Sequence, residues 1–581
     1  MDANLQLERG LEKHQAGDLI GASQEYENII NQMPDHFDAL HLLGVVASQQ
    51  GMYEKAEEYI RKAIAINPSA VAFYINLGIA LKNQKKYAES VEVYSKALSL
   101  DDKDPGIYYN LANLQMLMGD FESAENGFSN VIKLVPEYAD AHSGLGKCCI
   151  KLFKFDIAVE AFSNAIKLDP NNSGHFLDLA IAYKELEDYE NAIINAKIAI
   201  DKNNGVSEAY NVLASIYSLQ KKYSEATEIV EKGLSLNSQD SDCLCTLGVI
   251  YLHQGKFEKS YQKLCESLES NAGNGDAWVA KLTLLRDWQR YDEWYECLLE
   301  GNQKAEYDKR DSYVMYINLL MYSWIKQDNT LLEKYLSQYP QYKKGTNYKS
   351  KDYAYPNYIG LLHDYKRSHN DAYCNDEKGK NKIYVVGESH SLYPTGLQVN
   401  VEGTQYTLDS FLIVGCQARF IADKELNRYS RSFHEIVKLI PDGSTVIMNL
   451  GEIDCRHDFG FFSYHKKKSL TLEEVMKPVI DNYVDNVLSE FNGKNCKLIF
   501  HGVPASNINV ELIDVKDRQG FIDMFEIYNT MLKNKLKEAN LDFIDAYNET
   551  LGDFGVSNKK YHIDEHHLVP EFIKQYLEGK V

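Results

Sequence analysis

Residues 37–70 read FDALHLLGVVASQQGMYEKAEEYIRKAIAINPSA, and residues 71–104 read VAFYINLGIALKNQKKYAESVEVYSKALSLDDKD. Laid one above the other, the two stretches agree in where small, bulky and charged residues fall. The spacing is 34 residues, and the same register starts further blocks at 3, 105, 139, 173, 207 and 241 without insertion or deletion. The eighth position is small in every block: Gly10, Gly44, Gly78, Ala112, Gly146, Ala180, Ala214 and Gly248. The twentieth is Ala22, Ala56, Ser90, Ala124, Ala158, Ala192, Ala226 and Ser260. The twenty-seventh is mostly small (Ala63, Ala97, Ala165, Ala199, Gly233, Ser267), and Pro34, Pro68, Pro136 and Pro170 recur at the thirty-second. Small residues let two helices approach closely, and a proline past the second helix stops it. Leu77, Tyr94, Leu111, Phe128, Leu145 and Phe162 fill the remaining space at helical spacing. Each block therefore predicts a helical hairpin that buries its apolar face only by stacking on its neighbours. A ninth block, from Gly275 to about Asp308, keeps Ala277 and Trp278 but places Leu282 and Trp294 at the small positions. It reads as a capping or transition unit.

The period and the small–large–small pattern resemble the tetratricopeptide repeat (TPR) family. The resemblance implies an all-α superhelix over residues 1–308 that holds a peptide or protein ligand on its concave face. His41, Ile75, Tyr109, Leu177 and Asn211, at the fifth position of their units, are the candidates for that face. Asn76 and Asn110 sit where some such arrays present an asparagine ladder to a peptide backbone, but Gly144, Asp178 and Val212 break the ladder. Bonding between neighbouring helices is an equally good use of the two asparagines.

Residues 309–380 read as a connecting region. Tyr316, Leu319, Leu320 and Leu332 keep helical spacing to about residue 338, and eight tyrosines follow between Tyr339 and Tyr373. Their rings are expected to pack on a neighbouring element, in preference to stacking on carbohydrate.

Residues 381–581 change period. Short β-branched runs at Lys382–Val386, Phe411–Gly415, Thr445–Leu450, Lys497–Phe500 and Asp542–Asp545 alternate with helical stretches at Leu472–Phe491 and Phe521–Ala539. The alternation predicts an α/β doubly wound, flavodoxin-like parallel sheet, with ligands at the carboxyl ends of its strands. Three strand ends or late loops carry reactive side chains: Gly387-Glu388-Ser389-His390-Ser391, Gly451-Glu452-Ile453-Asp454-Cys455-Arg456, and His562-Ile563-Asp564-Glu565-His566-His567. Serine is a weak nucleophile until a histidine takes its proton, and the histidine needs a carboxylate to hold its tautomer. Ser389, His567 and Asp564 can fill those roles.

These motifs resemble the SGNH (GDSL-like) hydrolase superfamily, which pairs Gly-Asp-Ser near the start of its domain with Asp-x-x-His near its end. Gly387-Glu388-Ser389 matches the first block with Glu for Asp, and Asp564 to His567 matches the last. The resemblance implies attack of Ser389 on an ester carbonyl. Its oxyanion would be held by the Ser389 amide, a glycine amide (Gly415) and an asparagine side chain. Ile453 replaces that asparagine and cannot donate, a loss that typically costs 10²–10³-fold in rate. Arg456 or Arg419 could substitute as cationic donors. Other uses of the same residues are a helix N-cap for Ser389 and a buried ion-pair cluster for Glu452, Asp454 and Arg456. A metal site built from His562, Asp564, His566, His567 and Glu388 is disfavoured, because adjacent His566 and His567 point to different faces. No metal or cofactor is expected.

Composition narrows the partners. Lys plus Arg total 62 against 84 Asp plus Glu, a net charge of −22 over 581 residues, which disfavours nucleic acid. Ten cysteines without a CxxC pair, no basic leader, and a greasiest stretch (Tyr313–Ile325) too short to cross a bilayer predict a reduced cytoplasmic protein. The expected activity is that of a TPR-docked serine esterase or acyltransferase, with acylated glycans as the substrate class implied by the SGNH resemblance. The alternative is a non-catalytic adaptor with a degenerate SGNH-like domain.

Overall fold

The computed structural model describes residues 3–304, 309–343, 354–369, 373, 381–423, 425–455, 460–506, 513–552, 556–564 and 567–579. The chain divides into two compact units, Met1–Lys222 and Tyr223–Val581.

In the first unit the helices keep the 34-residue register. They pair as Ala3–Gln15 with Leu19–Gln32, Phe37–Gln49 with Tyr53–Ile66, and Val71–Asn83 with Tyr87–Leu100, and the pattern continues to Ser207–Leu219. Its physical basis lies in the small residues. A Cβ on Gly78 would lie 2.6 Å from the Tyr94 ring, one on Gly44 2.5 Å from Ile60, and one on Gly146 2.5 Å from Phe162. The eighth residue is small because the bulky residue sixteen positions on occupies its space. Where serine stands at the twentieth position its hydroxyl is satisfied: Ser90 Oγ donates to the Gly78 carbonyl at 2.8 Å. A left-handed residue links the two helices of each pair: Gly17, Gly51, Lys85, Gly119, Phe153, Glu187 and Lys221. Since most of these are not glycine, the sequence pattern does not mark that turn.

The second unit opens with helices that stay on the same register. The ninth block forms Gly275–Asp287 and Tyr291–Lys304, and Leu282 and Trp294 are fully buried in it. Helices Lys309–Ile325, Asn329–Lys343 and Ala354–Ser368 follow. A six-stranded sheet comes next: β1 (Lys382–Gly387), β2 (Gln398–Val401), β3 (Thr404–Leu412), β4 (Thr445–Asn449), β5 (Lys497–His501) and β6 (Asp542–Ile544), in the order β2-β3-β1-β4-β5-β6. All neighbours are parallel except β2, which runs antiparallel to β3 at the edge. Without β2 the order is 2-1-3-4-5, that of flavodoxin-like sheets.

Two differences from the sequence reading have a common cause. The edge strand β2 was not anticipated, and the second parallel strand is Thr404–Leu412, not Phe411–Gly415. β3 alternates polar and apolar residues because it is half exposed along most of its length, so only its buried end looks like an apolar run. The Ile413 N–H donates to the Gly387 carbonyl at 2.7 Å, the last ladder bond between β3 and β1.

The sheet is covered unevenly. Helices Arg428–Leu439, Leu472–Glu490 and Val515–Glu538 bury Phe433, Ile480 and Phe525 with Val446, Met448 and Phe500 on one face. The crossover from β1 to β3 contains only a 3-10 turn, Ser389–Leu392, before the β2–β3 hairpin. The other face (Ile383, Val385, Ile447, Ile499) shares a core with the C-terminal helix Pro570–Leu577 and with Trp278, Tyr316, Trp324, Tyr358 and Leu362. Helices from outside the strand–helix region thus cover the face left bare by the short crossover. Asp287 is buried between Arg286 (3.2 Å) and Arg428, and Arg431 meets Glu258 at 2.8 Å. Among the described residues no helix is long and apolar enough to cross a membrane.

Candidate active site

Ser389 stands two residues beyond β1, at the start of the 3-10 turn Ser389–Leu392. Gly387 must precede it, because a Cβ there would lie 2.1 Å from the Asn449 carbonyl oxygen on β4. His567 and Asp564 come from the loop before the last helix, 178 residues away in sequence from Ser389 for the histidine. The Ser389 Oγ is 3.0 Å from His567 Nε2. On the other side of the ring, Nδ1 lies 2.8 and 2.9 Å from the two Asp564 carboxylate oxygens. Asp564 also accepts the His567 backbone N–H at 2.7 Å, which fixes the loop that carries both residues. With Nδ1–H donating to Asp564, Nε2 presents its lone pair to the serine hydroxyl. Both Ser389 and His567 are buried.

Two neighbours of this chain were not found by sequence reasoning. Glu388 is buried, and its carboxylate folds back to accept the Ser389 amide N–H; it also lies within reach of the Ser389 hydroxyl, whose single proton goes either to this carboxylate or to His567 Nε2. The amide expected to hold an oxyanion is therefore already engaged. Tyr358, from helix Ala354–Ser368, stacks on the His567 ring with centroids 3.7 Å apart and planes 18° from parallel. Burial, with Asp564 as the next cause, pushes its hydroxyl far above the usual phenol range. Glu388 stood in the motif as a substitution of Asp. Tyr358 was one tyrosine among eight and carried no local mark.

The remaining candidates fall around the ends of the strands. Asp454 is fully buried and accepts the Ala418 N–H at 2.6 Å, with Arg419 Nε 4.0 Å away. Burial raises its carboxyl to about 7, against the opposing pull of Arg419. Glu452 is buried beside it in sequence. Gly415 lies three residues past the end of β3 in a turn with φ of +70°. Asn449, opposite Gly387 at the end of β4, is buried, and its Nδ2 has no partner among the described residues. Arg456 and His566 lie outside the described residues. His562 is engaged by Ser557 at 2.8 Å, and among the described residues no group of three or more His, Cys, Asp or Glu is placed to hold a metal ion.

On the proposed ligand face of the first unit, Asn76 Nδ2 is 2.8 Å from His41 Nε2. This asparagine therefore joins neighbouring repeats. Burial lowers His41 to about 4, so the ring is neutral at physiological pH. The ladder stops at Gly144 because the Phe128 ring occupies the space a side chain would need, 2.5 Å from a built Cβ. Asp178, in the next unit, pairs with Lys147 at 3.3 Å.

Models of the tetratricopeptide repeat match residues 37–70, 139–172 and 207–240, and a TPR repeat model matches 80–119. No curated protein matches the chain. A solved tetratricopeptide repeat protein from Parabacteroides merdae ATCC 43184 is 21% identical over 42% of this chain and 97% of that one, with a TM-score of 0.39. The pilF protein of Pseudomonas aeruginosa is 20% identical over 36% of this chain and 94% of that one, with a TM-score of 0.32. The helical register and the matched models agree: residues from about 37 to 300 are a tetratricopeptide repeat array.

Proposed function

We propose that residues 381–581 form a serine esterase or acyltransferase of SGNH type, to which the repeat array brings a protein or peptide partner. The observation that carries this reading is the hydrogen-bonded chain from Ser389 Oγ through His567 to Asp564. In the reaction, His567 takes the Ser389 proton as Oγ attacks an acyl carbonyl. The tetrahedral intermediate collapses when His567 returns that proton to the departing alcohol oxygen, leaving Ser389 acylated. Water or an acceptor hydroxyl, deprotonated in turn by His567, then releases the acyl group and regenerates the serine. Oxyanion donors are assigned to Gly415, Arg419 and Arg456, with the buried Asn449 amide in place of the isoleucine at 453. Asp454, which accepts the Ala418 N–H, supports the segment that carries Gly415 and Arg419, and Glu452 is assigned to the same site. Acylated glycans are the substrate class taken over from the SGNH resemblance. A cytoplasmic location fits a cysteine spacing without a CxxC pair.

Two observations favour the adaptor reading: Glu388 holds the Ser389 amide, and Ile453 offers no donor. Fluorophosphonate labelling separates the two. Attachment at Ser389, lost in His567→Ala, is expected for the enzyme. An unlabelled wild-type protein, with aryl acetate turnover equal to that of Ser389→Ala, would leave only the adaptor.

A further inference from the structure

The imidazole of His567 is held along one axis by Asp564. A ring so held can still tilt about that axis and swing Nε2 away from Ser389. The Tyr358 ring lies flat against it, 3.7 Å between centroids, and closes that motion from one side. Tyr358 is 1% exposed, and Ile359 and Leu362 on the same helix are wholly buried in the shared core. The aromatic ring is therefore itself fixed. Its hydroxyl has no hydrogen-bond partner among the described residues, so the ring is the part in use. A second contact of the same origin braces the nucleophile: Trp324 Nε1, on helix Lys309–Ile325, donates at 2.9 Å to the Leu392 carbonyl that ends the Ser389 turn.

We infer that Tyr358 is a positioning residue for His567, and that the helix Ala354–Ser368 completes a catalytic site whose acid, base and nucleophile all lie beyond residue 381. The inference rests on the esterase reading above. Its chemical content is twofold. The stacked face keeps Nε2 aimed at Ser389 Oγ. The electron-rich ring also favours the imidazolium that forms when the serine proton arrives, an attraction that strengthens in a buried setting. Among the described residues the charged or titratable groups around the stacked pair include Asp564 at Nδ1, and Tyr393, Glu388 and Tyr373, which act on the Tyr358 hydroxyl together with Asp564.

The test uses the full-length chain and a fluorophosphonate probe, measuring the maximal labelling rate and the half-saturating probe concentration separately. In Tyr358→Leu the maximal rate is expected to fall about tenfold, equivalent to about 1.4 kcal/mol, with half-saturation unchanged. Tyr358→Phe should stay within about twofold of wild type, because it keeps the ring and removes only an unpartnered hydroxyl. Thermal melts establish that each variant is folded, and Tyr358→Met replaces the leucine variant if that one is not. A folded Leu or Met variant labelled at the wild-type rate overturns the inference and spares the esterase reading. So does a phenylalanine variant as slow as the leucine one. A wild-type protein that takes no label overturns both.

Discussion

The first unit and the candidate site are stabilised by opposite strategies. In Met1–Lys222 the helices pack on those next to them, and one small-against-large rule is applied in unit after unit, as Gly78 with Tyr94 and Gly146 with Phe162 show. The site depends on contacts that occur once. Ser389 meets His567 across 178 residues, Trp324 reaches Leu392 across 68, and Arg428 reaches Asp287 across 141. A repeated contact can be lost in one unit while the others persist. A unique contact has no second copy.

The largest effect expected from this contrast is on stability in the second unit. Asp287→Ala removes the carboxylate between the buried Arg286 and the partly buried Arg428 and leaves both guanidinium charges without their counter-ion. Breaking a buried pair in this way costs about 3–5 kcal/mol. Denaturant unfolding followed by tryptophan fluorescence reads the loss, since all four tryptophans (Trp278, Trp288, Trp294, Trp324) lie in the second unit. A repeat position should be more forgiving. Gly78→Ala forces a methyl against the Tyr94 ring, and overpacking of that kind costs about 1–3 kcal/mol. The far-ultraviolet melt should shift, while the labelling rate at Ser389 should not. A labelling rate that falls with it would erase the distinction between the two regions.

A smaller effect, and one of opposite sign, is expected at Glu388. Glu388→Asp shortens the carboxylate by one methylene, withdrawing it from the Ser389 amide and restoring the SGNH motif. The freed N–H becomes an oxyanion donor, and labelling should quicken by up to about tenfold, against a full donor value of 10²–10³. An unchanged rate would mean that the amide plays no part. The last expected signal is a pH slope in place of a loss at one pH. Burial raises the Asp454 carboxyl to about 7 from 3.8, so the folded chain holds a proton that the unfolded chain gives up. Stability from this group is fully present below about pH 4 and falls as pH rises towards 7. Asp454→Asn should flatten that segment of a stability–pH curve measured by urea titration, and a slope that persists would assign it elsewhere.

The same contrast explains what could be read in advance. The repeat register was legible because one rule was tested eight times, and the ninth helix pair kept it even where Leu282 and Trp294 broke the small-residue pattern. The residues of the proposed triad, Ser389, Asp564 and His567, could be picked out because triad chemistry demands particular residue types in a matching chain order, and their side chains are hydrogen-bonded in series. Tyr358 was not, since a stacking partner needs only to be flat, and flatness leaves no spacing behind. Glu388 was visible as a substitution, yet its turn back onto the Ser389 amide depends on one extra methylene and the local backbone. β2 and most of β3 hid in their polar alternation. The Asp287–Arg428 pair carried no signal because neither residue has a sequence neighbour that requires it.

The short crossover after β1 also sets what this chain can change over evolutionary time. A sheet whose second face is closed by the last repeats and the helices after them fixes those elements in number and phase, because a shift by part of a repeat would withdraw Trp324 and Tyr358 from the positions they fill. Within the first unit the helices pack on those next to them, so a whole 34-residue repeat inserted there leaves Trp324 and Tyr358 in place.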